Sequence, residues 1–253
     1  MSKPRLILVG GFLGAGKTTL LAAAAARLTA RGRRVGLVAN DQAADLVDTE
    51  LFKSGGARVE EVAGGCFCCR FPDLISAMQR LVRDGAADVL LCEPVGSCTD
   101  LSATVLQPVK QQYSAEFEPA PFTVLIDAKQ LGLMAQWSGA SGGAGRFSEE
   151  VLYIYRKQIE EADALVVNKA DLLSAEERND LLAAVKEHFP AIPVMMISAL
   201  NGEGVDHWIE LVTTGKRAGT RIAEVDYDVY AAGEAALGWL NASAKLRADG
   251  PLS

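Results

Sequence analysis

Histidine is nearly absent: the 253 residues hold only His188 and His207. No histidine-rich tract exists, which argues against metal storage, and any metal site must draw on other ligands. A positive balance is lacking too. Twenty-five Lys and Arg face 32 Asp and Glu, a formal net charge of -7. That excludes a broad nucleic-acid surface, yet leaves room for a phosphate site built from local N–H groups and one lysine. Nor is there a long apolar run. Lys3, Arg5, the apolar residues behind them and a later alanine stretch imitate a signal peptide. However, residues 10–19 interrupt that run with glycines and Lys17, and no segment approaches the uninterrupted apolar length of a membrane helix. The expectation is a soluble cytoplasmic protein with no membrane or nucleic-acid partner. A disulfide framework is also excluded: of five cysteines, three (Cys66, Cys68, Cys69) fall in one four-residue run, a pattern that points to a metal or redox site in a reducing compartment.

What is present is organised around residues 6–19, LILVGGFLGAGKTT. An apolar run ends in Gly11-Phe-Leu-Gly14-Ala15-Gly16-Lys17-Thr18, which fits G-x-x-x-x-G-K-[ST]. In such a loop, glycines let backbone N–H groups point into one concavity, and the following helix adds its positive N-terminal end. Lys17 would reach the β/γ-phosphates, the Thr18 hydroxyl would ligate Mg²⁺, and the phosphates would lie on residues 14–19, Thr19 included.

Apolar runs predict strands over 6–9, 35–39, 58–62, 88–92, 122–127, 164–167 and 194–197. Amphipathic or alanine-rich runs predict helices over 17–30, 72–84, 149–162, 175–188 and 205–212. Residues 138–145 (SGASGGAG) read as a mobile loop. Apolar strands alternating with helices imply an α/β domain with a mainly parallel central sheet covered on both faces, with ligand groups at the carboxyl ends of strands. The length allows one large α/β domain, residues 1–215, and a short extension, 216–253. In the extension, 225–230 reads as a strand and 233–246 as a helix.

Asn168-Lys169-Ala170-Asp171 matches N-K-x-D at the end of a late strand. The Asp171 carboxylate can accept from guanine N1–H and the exocyclic amine; adenine offers neither, so a buried carboxylate would be left unpaired. Asn168 can bond the base edge, the Lys169 stem can lie along the ring, and the turn at Ser198-Ala199 can supply an N–H for guanine O6. Together with the phosphate loop this selects GTP over ATP.

The three thiolates of Cys66, Cys68 and Cys69 can converge on one soft or borderline cation. A closed zinc site needs a fourth ligand. Cys98 is the first candidate and Cys92 the second, and for each the alternative is an ordinary loop or core thiol.

The set GGFLGAGKTT (10–19), GGCFCC (64–69), EPVG (93–96) and NKAD (168–171) resembles the CobW-like family of P-loop GTPases, the metallochaperone relatives of HypB and UreG, over roughly residues 5–212. The resemblance implies GTP hydrolysis to GDP coupled to delivery of a transition metal (Zn²⁺, or Co²⁺, Ni²⁺ or Fe²⁺) to a client metalloprotein. It implies metal at Cys66, Cys68 and Cys69, Mg²⁺ near Thr18, and a Gly96 amide that senses the γ-phosphate. The chain departs from the family pattern after the second strand, where Asn40-Asp41-Gln42-Ala43 stands for N-E-F-G; Asp41 keeps the carboxylate. The family's second domain has only about forty residues left to it, a reduced domain, a docking arm or a truncation. Lys17, with Asp41 or Glu93 holding Mg²⁺ through water or orienting the attacking water, would carry catalysis. No in-cis arginine finger stands out, so slow turnover stimulated by a partner or by a nucleotide-dependent homodimer is expected. The other reading is a GTP-gated maturation or docking factor in which the cysteines form a structural zinc clip.

Overall fold

The computed structural model describes residues 3–41, 58–83, 86–134 and 147–237. Strand β1 (Arg5–Gly10) is buried along its whole length and shows why the architecture is layered. Leu6 and Leu8 enter one apolar cluster, while Ile7 and Val9 enter another on the opposite face. A strand buried on both faces must be covered by helices on both. Helix α1 (Lys17–Ala30) and α7 (Val205–Thr214) cover the second face with Leu20, Leu21, Ala24, Trp208 and Ile209. Helix α2 (Phe71–Val82) and α5 (Glu149–Glu160) cover the first with Leu74, Met78, Ile154 and Ile159. Each such large aliphatic side chain taken fully out of water stabilises the fold by about 1.5–3 kcal/mol.

The remaining strands are β2 (Val35–Asp41), β3 (Arg58–Ala63), β4 (Val89–Glu93), β5 (Glu118–Pro119), β6 (Thr123–Asp127), β7 (Ala164–Asn168) and β8 (Val194–Met196). The eight-stranded sheet runs β3-β2-β4-β1-β6-β7-β8, with β5 also on β1. Every recorded pairing is parallel. β5 takes the first half of one edge of β1 at Arg5 and Leu6, and β6 takes over at Val9 and Gly10. The chain thus turns to one side after β1 and to the other by β6, so the crevice at the carboxyl end of β1 is a topological switch point. Among the described residues no helix is long and apolar enough to cross a membrane.

The expected α/β sheet and its motif-bearing strand ends are all present, with boundaries shifted by at most two residues. Besides the two-residue β5, which was not expected, three regions differ. Residues 101–112 were not predicted as structured; they form one π-helical stretch, Ser102–Leu106, continued by α3 (Gln107–Gln112), with Pro108 tolerated in its first turn. Helix α4 (Ala128–Met134) starts directly from β6, because Asp127 Oδ1 accepts the Lys129 and Gln130 N–H groups. The alternating V-D-Y-D-V-Y run at 225–230 is not a strand. Asp226 Oδ1 accepts from the Asp228 and Val229 N–H groups, and helix α8 (Tyr227–Leu237) follows. The cap and the alanines behind it override a short two-residue period. α8 lies on α5 at Gly233, where a Cβ would come within 2.7 Å of the Glu150 carbonyl oxygen. Helix α6 (Ala175–His188) opens on a capping box between Ser174 and Glu177. Gln42, Ala43, the loop 138–145 and residues 238–246 lie outside the described residues.

Candidate nucleotide site and metal centre

The loop after β1 is shaped by backbone contacts. Gly11 has φ +128°, and a Cβ there would stand 2.1 Å from the Leu125 carbonyl oxygen of β6, so only glycine fits. Gly16, at φ +92°, begins α1. Lys17 is buried and donates to the Gly11 carbonyl oxygen at 2.8 Å, with that of Phe12 at 3.4 Å. Its ammonium is therefore held inside the loop. Gly14 and Thr19 are exposed, and Ala15 is buried beneath them. The Thr18 hydroxyl donates to Glu93 Oε1 at 2.8 Å. A hydroxyl and a carboxylate at this spacing are the hard oxygen donors that suit Mg²⁺, so the chain's own residues fit that ion. Asp41 ends β2, and its side chain lies outside the described atoms.

The turn after β4 presses on the same loop. A Cβ at Gly96 would meet Leu13 N at 3.0 Å. Buried Gln158 of α5 donates to both the Gly96 and the Cys98 carbonyl oxygens at 2.9 Å. Sequence reasoning missed Gln158. Its signal was a glutamine in register with the buried face of α5, beside Ile154, Tyr155 and Ile159. Gln130, also missed, donates to the Leu13 carbonyl oxygen. The buried side-chain oxygens Asn40 Oδ1, Gln130 Oε1 and Gln158 Oε1 have no partner, and all three belong to residues that line or brace these loops.

At the far end of the crevice, Asn168 is a strut. Its Nδ2 donates to the Ala15 carbonyl oxygen at 2.8 Å, and its Oδ1 accepts the Ala199 N–H at 2.9 Å. In this structure the Ala199 N–H is paired with Asn168, and the Ser198 N–H donates to the Glu203 carbonyl oxygen. Lys169 (φ +66°) pairs with Asp127 at 2.7 Å. Asp127 was missed too, although an acid closing an apolar strand was visible. Asp171 is exposed in a short 3-10 turn, Ala170–Leu172, with Leu172 and Leu200 exposed beside this end of the crevice. Arg178 joins the two turns by donating to the Ala170 carbonyl oxygen and pairing with Glu203.

The cysteine loop leaves β3 through Gly64 at φ +77° and runs straight into α2. Asn40 Nδ2 ties it down, donating to the Val62 and Gly65 carbonyl oxygens. Phe67, fully buried, anchors it in the core and leaves Cys66 and Cys68 half-buried and Cys69 exposed. The three sulfurs lie within 4.8 Å of one another. Cys66 and Cys68 are 2.6 Å apart, and Cys68 and Cys69 4.0 Å. Bonds from Cys68 first and Cys98 second hold the Cys66 thiol well below its ordinary pKa, whereas the shared proton and burial raise Cys68. Cys92 is a core residue of β4, pushed up by burial alone.

The comparisons with known proteins point to one family. The family model described as CobW/HypB/UreG, nucleotide-binding domain, matches residues 5–195. The zinc chaperone CobW of a Sinorhizobium species is 27% identical over 222 residues, covering 77% of this chain and 58% of its own. The zinc chaperone CobW of Pseudomonas aeruginosa is 28% identical over 230 residues, covering 80% and 58%. The chain thus spans little more than half the length of these curated relatives. HypB from Helicobacter pylori, solved in complex with nickel, shares the fold with a TM-score of 0.55 at 17% identity, over 88% of this chain and 91% of that one. With three quarters of its length matched, this chain belongs to the CobW/HypB/UreG family, of which it carries the nucleotide-binding domain.

Proposed function

We propose that this chain is a GTP-hydrolysing metallochaperone in which the nucleotide gates a thiolate site that carries a transition metal to a client metalloprotein. The observation that carries this reading is one short track: Thr18 bonds Glu93, and three residues later Gly96 lies against Leu13 of the phosphate loop.

Lys17 would meet the β/γ-phosphates, and Asp171 would accept the guanine edge while the Lys169 stem lies on the ring. Thr18, with Glu93 or Asp41, would hold Mg²⁺, which when bound neutralises charge on the phosphate oxygens. Glu93 then faces the region where water must attack, and the Gly96 amide is the group able to register the γ-phosphate. Positioning and charge stabilisation supply the rate, with slow turnover raised by a client or a second copy. Cys66, Cys68 and Cys69 hold the cargo cation, Zn²⁺ being the first choice for a thiolate set with Co²⁺, Ni²⁺ and Fe²⁺ behind it.

The test is metal affinity measured with a non-hydrolysable GTP analogue and with GDP. The expected difference is about 10-fold, the scale of an ordinary coupling free energy; equal affinities would sink the gating. A second reading, a docking factor with a structural zinc clip, draws on the deep anchoring of Phe67. In that case Cys68→Ala lowers thermal stability equally in every nucleotide state.

A further inference from the structure

The chain leaves β3 for the cysteine loop through two glycines. Gly64 stands at φ +77°, and a Cβ placed on it would meet no described atom within 4 Å, so no neighbour fixes the backbone there by packing. One side chain bridges the step instead. Asn40 Nδ2 donates to the carbonyl oxygen of Val62, its register partner on β3, at 2.9 Å, and to that of Gly65 at 2.7 Å. Both acceptors are carbonyls, so the carboxamide can stand only one way round: a flip would set Oδ1 against two oxygens. Oδ1 itself is buried and unpaired among the described residues, so the donor end alone holds the group. Cys66 follows directly, between this clamp and the buried ring of Phe67. The Cys66 carbonyl oxygen accepts the N–H of Arg70, the N-cap of α2, at 2.9 Å.

The neighbours of Asn40 along β2 belong to the nucleotide side. Val38 enters the apolar cluster that holds Phe67, and Ala39 enters the cluster under α1. Strand alternation puts Asn40 on the Phe67 side. Ala39 is the register partner of Glu93, which accepts the Thr18 hydroxyl. Asp41, the residue after Asn40, closes the strand. The end of β2 thus meets the Thr18–Glu93 pair through the ladder to β4, and the cysteine loop through one carboxamide.

We propose that Asn40 is a positioning residue that joins the two sites: its amide sets the backbone from which Cys66 presents its sulfur, and through it the nucleotide state reaches the metal. The proposal rests on the gated-carrier reading above and deepens it by naming the link. Both contacts of the amide are to backbone, so the link acts on loop geometry and adds no ligand to the cation. Loss of the donor frees the glycine step, and the cysteine loop then takes up the same positions whichever nucleotide is bound.

The experiment measures Zn²⁺ affinity by competition with a chelating dye, on the full chain as wild type, Asn40→Ala and Asn40→Asp, each with GDP and with a non-hydrolysable GTP analogue. The quantity read is the ratio of the two affinities. The wild type is expected to give about 10-fold, and both variants less than about 2-fold. A merely structural role lowers both affinities together and keeps the wild-type ratio. Asn40→Asp preserves the size of the side chain and replaces its donor with an acceptor facing two carbonyls, so it is expected to weaken Zn²⁺ binding at least as much as Asn40→Ala. The second measurement needs no variant and serves if either lowers folded yield. It follows the side-chain amide proton resonances of Asn40 in zinc-loaded wild type, which are expected to move when GDP is exchanged for the analogue. A wild-type ratio retained in both variants, or an unmoved Asn40 signal while the wild-type affinities differ, overturns the proposal and leaves the gated carrier standing. Equal affinities in the wild type overturn the gating reading itself, and this link with it.

Discussion

The nucleotide loop and the cysteine loop leave the same sheet in different ways. The first follows β1, whose neighbours are β4 on one side and β5 and β6 on the other; the second follows β3, at one end of the strand order. The central loop is made of backbone: Gly11 touches Leu125, and Lys17 is held by the carbonyls of Gly11 and Phe12. The edge loop is held by a few side chains: the Asn40 amide, the Phe67 ring, and sulfurs that touch each other. Backbone packed among buried strands has almost no freedom to adjust, whereas an edge loop pinned at three points can. A phosphate cradle gains from rigidity and a carrier site from give, and the two positions in the sheet supply those properties.

Three experiments would break or sharpen that contrast. The largest effect is expected from Gly11→Ala. A Cβ 2.1 Å from the Leu125 oxygen, at φ +128°, forces β1 and β6 apart, and unfolding free energy should fall by about 3 kcal/mol or more, read by urea denaturation. A loss under about 1 kcal/mol would mean the central loop is as pliable as the edge one. Next is Gln158→Leu, which leaves the Gly96 and Cys98 carbonyls without their donor. A cost of about 1–3 kcal/mol is expected in the same assay; no cost would deny that one side chain holds the turn between the two loops.

The smallest and most specific effect concerns Glu161. Burial, the main cause, pushes its carboxyl from an ordinary 4.5 up to about 8; the Ser102 N–H opposes this and nearby Asp100 adds to it. Glu161 Oε2 accepts that N–H at 2.8 Å, at the start of the π-helical stretch behind Cys98. Because the folded pKa is raised, the neutral acid is the favoured form in the native state. Its contribution is complete below pH 4.5 and is lost as pH rises through about 8. Denaturation midpoints should therefore decline across this window in the wild type and decline less in Glu161→Gln. Parallel curves would remove Glu161 from the account.

Several side chains that brace the site were invisible to sequence reasoning for a common reason. Gln158, Gln130, Asp127 and Glu161 act through bonds to residues 42 to 117 positions away or through a cap at a helix start, and no local pattern encodes such a partner. The helix at 227–237 was misread because a six-residue alternation is too short to outweigh a capping aspartate. Asn168, by contrast, was marked as a site residue, yet its amide proves to link the phosphate loop to the Ser198 turn.

The sequence alone determined the parallel α/β sheet, because its apolar strands and helices alternate in runs whose periods are intrinsic to the backbone. It also determined the phosphate loop and the cysteine run, because glycine conformations and thiol spacing are local properties. Only the tertiary structure decided which groups meet. It carried Glu93 to Thr18 and Gly96 to Leu13, since the pairing of β1, β2 and β4 brings to one end of the sheet residues that lie tens of positions apart in the chain.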